Sequence, residues 1–177
     1  MALHPPPPWH LFGELILVPA LVKPRALGGV LLANYTSGTL VYRELIVFSR
    51  ATARGMVVSH IYVDDEQSLS GGREIWGLPK ELAEFEYSPK RFAARQNGST
   101  LLQATIRRKP GRLPLLIPAP IVSEAGATLG RARIRAAPAL VTIDVPPSSP
   151  FASLGLRGTR VGLAGDALDL TMPAPRS

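Results

Sequence analysis

The chain has 177 residues, of which 46% are hydrophobic and 19% charged, the balance of a globular protein with enough chain to bury a core. It contains no cysteine, which excludes disulfides, thiolate metal sites and a cysteine nucleophile. The net charge of +7 points to an anion-attracting surface, yet no nucleic-acid motif accompanies it, and no run of about 18 apolar residues could form a membrane helix.

In chain order, Pro5–Pro8 predicts a polyproline lead-in, read as solvated, ahead of a single domain spanning 1–177. With no basic stretch and apolar core at the N-terminus, it is not a secretory signal, and a cytoplasmic location is expected. Short apolar or alternating runs between scattered prolines and glycines then predict strands. These are Leu11–Pro19, Thr39–Ser49, Met56–Val63, Leu82–Ser88, Arg91–Gln96, Thr100–Arg108, Leu115–Val122, Leu129–Ala136, Ala139–Val145 and Val161–Leu170. Asn97-Gly98 between two of them is a strong hairpin signal. Arg131, Arg133 and Arg135, at period two, belong on one exposed strand face, with an anion-binding stripe as the alternative. Helical signals are weak. Pro79–Phe85 could hold a turn of helix or a strand start, Pro150–Gly155 could hold a short turn capped by Ser149, and 173–177 reads as a flexible tail.

The segment from Asp64 to Leu82 is the most informative. It opens acidic, passes through Gly71-Gly72, and concentrates Arg73, Glu74, Trp76, Pro79 and Lys80. Paired glycines allow close approach, and Pro79 biases Leu78 toward an extended shape. A lysine among Trp76, Leu78, Leu82 and Phe85 can be desolvated, which favours the neutral amine that attacks a ketone to form an imine. In a strand, Tyr42, Glu44 and Ile46 share one face, where Glu44 could act as acid or base. Arg73 is a candidate to hold a substrate carboxylate, or to brace the loop with Glu74, for which a structural role is favoured. Trp76 is cavity wall or core. His60, Tyr62 and Asp64 alternate, but a metal site would need further ligands, and none is assigned. No serine nucleophile elbow or phosphate-binding glycine loop occurs.

Gly72-Arg73-Glu74-Ile75-Trp76-Gly77-Leu78-Pro79-Lys80 resembles the Gly-Arg-Glu-x-x-x-x-Pro-Lys signature of acetoacetate decarboxylases. Ser59–Glu66 and Val41–Glu44 are similar to the strands before it. The resemblance implies a mostly β fold, a double-layered antiparallel cone around an apolar cavity, with few short helices and homo-oligomeric assembly. It implies a cofactor-independent carbon–carbon lyase acting on a small keto acid, through a Schiff base on Lys80 with Glu44 as proton shuttle. Arg73, Glu74, Trp76 and Tyr42 would contact substrate. Three positions depart from the family pattern. Glu81 stands where the decarboxylases have a second lysine, His10–Glu14 has no arginine, and the Phe48–Met56 connection carries Arg50 and Arg54 but no glutamate. The same fold could therefore serve as a non-catalytic module for an apolar ligand, with Lys80 paired to Glu81 or Glu44. An anion or nucleic-acid binder using Arg107, Arg108, Lys109, Arg112 and the Arg131–Arg135 stripe is the third alternative.

Overall fold

The computed structural model describes residues 4–123 and 125–175. The order of elements is β1 (Trp9–Val22), β2 (Ala26–Gly38), β3 (Tyr42–Thr52), β4 (Gly55–Val63), α1 (Glu66–Trp76), β5 (Lys80–Leu82), β6 (Glu84–Ser88), β7 (Arg91–Gln96), β8 (Ser99–Arg108), β9 (Leu113–Ser123), β10 (Gly126–Asp144), the short 3-10 helix Ala152–Leu154, and β11 (Gly158–Met172). The fold is mostly β, as the resemblance implies.

Strands β11, β1, β2, β3, β4, β9 and β10 follow one another, and β10 pairs again with β11, so these seven close into a ring. β10 is 19 residues long and serves two layers. Through Ala136 it pairs with β9, and from Ala139 it pairs with β8, which continues to β7 and β6. One core lies between the ring and this second layer, where Val18, Leu32, Leu45 and Val47 meet Phe92, Leu102 and Val141. The other lies inside the ring. Most pairings are antiparallel, but β4 pairs in parallel with both β5 and β9.

The Gln96–Ser99 hairpin turns through Asn97 and Gly98, both at positive φ, as a two-residue turn with left-handed central residues requires. Arg131, Arg133 and Arg135 all lie exposed on β10.

Several expectations are corrected. β2 was not among the expected strands, and it contains Gly28 and Gly29. The glycines sit mid-strand, where a Cβ on Gly28 would overlap the Phe48 carbonyl and one on Gly29 the Val18 carbonyl. The two strands predicted around Pro138 are one, since that proline falls where β10 changes partner from β9 to β8. The Gly71-Gly72 stretch is helical. Asp65 accepts a hydrogen bond from the Ser68 N–H at 2.6 Å as N-cap, and Gly77, at φ 60°, ends the helix. Pro79–Phe85 is strand. Ser149 does not cap the 3-10 helix with its side chain. The Pro5–Pro8 lead-in is docked rather than solvated. The Trp9 indole donates to the Pro5 carbonyl at 3.0 Å, and His4 lies 3.1 Å from Glu74. Of the expected tail, Pro173–Pro175 are described, and the Pro173 carbonyl accepts from the Trp76 indole at 2.8 Å; 176–177 lie outside the described residues.

Candidate active site

The ring encloses a cavity of about 300 Å³ with almost wholly apolar walls. Strand periodicity explains its lining. Along β3 every second side chain, Tyr42, Glu44, Ile46 and Phe48, points inward, while Leu45 and Val47 face the other core. β2 contributes Tyr35, and β1 contributes Trp9 and Leu17.

Lys80 reaches this cavity from β5, which lies against β4 with Lys80 opposite Ile61. Alternation turns Lys80 inward and Glu81 outward, where Glu81 accepts a hydrogen bond from Gln96 at 2.8 Å. The Glu81 carboxylate therefore faces away from the site. Lys80 is 3% exposed and Glu44 4%. The Lys80 Nζ lies 2.9 Å from Glu44 Oε1 and donates to Ser68 Oγ at 2.9 Å. It also stands 5.1 Å from the Tyr42 ring centroid and 5.9 Å from that of Trp9, within cation–π range.

The Tyr35 hydroxyl donates to Glu44 Oε2 at 3.1 Å. Burial, and then the Glu44 charge, hold the Tyr35 phenol well above its usual pKa, so it remains a donor. The same two causes raise Tyr42. Glu44 is thus held at both oxygens, one by an amine and one by a phenol. At 2.9 Å, Glu44 lies within proton-transfer distance of the Lys80 amine.

Gly72 explains how a helix comes so close to a lysine. A Cβ there would overlap Cδ and Cε of Lys80. Gly71 makes the same allowance for the Trp9 ring. Trp76 packs edge-on to Trp9, with centroids 4.6 Å apart, and forms cavity wall.

Tyr42, Glu44, Trp76 and Lys80 thus converge on one cavity, whereas Arg73 and Glu74 do not. The extended chain assumed for these two residues is helix, which carries both to an exposed face. Arg73 Nε donates to the Lys80 carbonyl at 2.8 Å, bracing the strand from outside. With Arg50, Arg73 lines an adjoining pocket behind Val58 and Leu78. Glu74 accepts from His4 instead of pairing with Arg73. Sequence reasoning missed Ser68, Tyr35 and Trp9. Ser68 was signalled by its place three residues after Asp65, a helix N-cap spacing; Tyr35 lies on the strand that was not expected.

Elsewhere, His60 packs near Phe151 with its pKa lowered by burial, and Asp64 pairs with Arg43 at 2.9 Å. Of the basic cluster, Arg108 lies 3.2 Å from Glu14, and Arg112 pairs with Asp166. Among the described residues, no group of three His, Asp or Glu side chains could hold a metal, and no helix is long and apolar enough to cross a membrane.

A family model described as acetoacetate decarboxylase (ADC) matches residues 16–123, more than half the chain. No curated protein matches significantly. Among solved structures, the chain is similar to acetoacetate decarboxylase from Legionella pneumophila subsp. pneumophila str. Philadelphia 1, with TM-score 0.73 and 17% identity over 98% of this chain and 88% of that one. It is similar to the enduracididine biosynthesis enzyme MppR complexed with pyruvate, with TM-score 0.62 and 15% identity over 95% and 89%. It is also similar to an acetoacetate decarboxylase-like enzyme from Sphingomonas wittichii RW1, with TM-score 0.58 and 15% identity over 96% and 91%. At these identities the likeness is one of fold.

Proposed function

The chain belongs to the acetoacetate decarboxylase family, and from that premise we propose that it is a Schiff-base-forming carbon–carbon lyase acting on a carbonyl substrate through Lys80. The observation that carries this reading is the buried lysine at the floor of an apolar cavity, 2.9 Å from a carboxylate. Lys80 attacks the substrate carbonyl, water leaves, and the iminium draws electrons from the neighbouring carbon, so that a C–C or C–H bond breaks. Glu44 carries the proton. Ser68 and Tyr35 orient the amine and the carboxylate. No cofactor is invoked, because the iminium is itself the electron sink. A keto acid remains a candidate substrate class; the MppR relative was solved with pyruvate.

Borohydride trapping tests the reading. Incubated with carbonyl compounds, the protein is expected to gain one reduced adduct that peptide mass spectrometry maps to Lys80 and that is absent from Lys80→Gln. A folded protein that traps no carbonyl compound would be the binding module instead. We also propose a homo-oligomer, following the family resemblance; light scattering giving a monomer's mass would reject it.

A further inference from the structure

Lys80 and Glu44 are, among the described residues, the one cation and the one anion on the cavity wall. The expected carboxylate partner, Arg73, is outside. Charge bookkeeping then discriminates between substrates. A protonated Lys80 reacting with a neutral ketone or aldehyde gives an iminium and one water. The cation on nitrogen is retained, and Glu44 remains its counter-ion. The site begins and ends neutral. A keto acid brings one further negative charge into the same walls, and burying an uncompensated carboxylate is costly.

The cavity's shape adds a second constraint. The Lys80–Glu44 pair is buried, whereas Pro19, Leu27 and Pro118 are lining residues that are also exposed, and they mark the mouth. From the floor up to the mouth the strand register stacks two apolar tiers. Leu17, Leu31 and Ile46 form the first, and Pro19, Phe48 and Val58 the second. From Glu44 to Phe48 is four residues, about 13 Å of strand. A carbonyl reaching Lys80 trails whatever it carries along that wall.

Resting on the imine reading above, we propose that the site takes a neutral aldehyde or methyl ketone with a hydrocarbon tail, carbonyl end first, in preference to a keto acid. After the imine forms, the Glu44 carboxylate removes a proton from the carbon beside it. The C–H electron pair becomes the enamine double bond, and the iminium nitrogen takes up the displaced π pair. Reprotonation from Glu44 and hydrolysis return the carbonyl compound with that proton exchanged, so on these compounds the site breaks a C–H bond, the second of the two bond cleavages the imine allows.

The test is competitive trapping at Lys80 with acetone, pentanone, octanone and undecanone against straight-chain keto acids of matched length, including acetoacetate. Adduct yield at Lys80 should rise roughly fourfold per methylene until the channel is full, and each neutral ketone should outcompete its matched keto acid by at least about tenfold. The tail wall is probed with Val58→Trp, which should shorten the preferred chain; the wild-type series stands by itself if that variant does not fold. Keto acids trapped as well as or better than matched ketones, or a yield flat with chain length, would overturn this proposal while leaving the imine reading intact. Absence of a Lys80 adduct with every compound would overturn both.

Discussion

At the level of single residues, the site depends on an atom that is missing. Gly72 sits in the helix with the stem of Lys80 where its side chain would be. Elsewhere in a helix a change from glycine to alanine is favourable by up to about 1 kcal/mol. Here it should push Lys80 off Glu44. Gly72→Ala is therefore expected to retain helix content but lower imine trapping about tenfold or more; trapping at the wild-type level would show that the lysine has another way to lie. The lysine itself was legible from its signature, and Glu44 from alternation with Tyr42. The contacts that Ser68 and Tyr35 make in the site were not, because a hydroxyl gains its role from what lies opposite it across the fold.

At the scale of elements, α1 is the least self-sufficient part of the chain. It holds two adjacent glycines within eleven residues, which lowers its intrinsic propensity, so its ends matter. Asp65 satisfies the Ser68 N–H at the start, and the left-handed Gly77 returns its own N–H to the Arg73 carbonyl at 3.1 Å. Asp65→Ala should cost about 1 kcal/mol in chemical denaturation. It should also reduce trapping, since Ser68 is at once the capped residue and the acceptor for Lys80. A stability loss with trapping unchanged would separate the two roles. The glycines hid this helix from sequence reasoning, although Asp65-x-x-Ser68 and Gly77 mark its ends. β2 was hidden in the same way, by glycines that serve close backbone approach.

For the molecule as a whole, two histidines should set opposite limbs of a pH–stability curve. His4 joins the N-terminal lead-in to α1, and its hydrogen bond to Glu74 raises its pKa above 6.5. Its contribution is thus full below about pH 6.5 and lost as pH rises through the folded value. His60 has its pKa lowered by burial, so the folded state resists protonation and loses stability as pH falls below about 6.5. Thermal melts across pH should show both limbs. His4→Gln should flatten the alkaline limb and His60→Gln the acid one; either variant flattening the wrong limb would contradict these assignments.

The sequence by itself determined what is local or periodic. Strand alternation decided that Tyr42 and Glu44 face one way, and Asn97-Gly98 specified a turn that needs two positive φ angles. The signature around Lys80 named both the lysine and the mostly β family fold. Only the tertiary structure decided what depends on distance between strands and layers. It joined Tyr35, Glu44, Ser68 and Lys80, from four different elements, into one hydrogen-bonded cluster, and it turned Arg73 outward by making its segment a helix. Periodicity tells which way a side chain points along its own element. Which groups it meets is set by the ring closure of β10 on β11 and by the register of its strands, and those are properties of the whole chain.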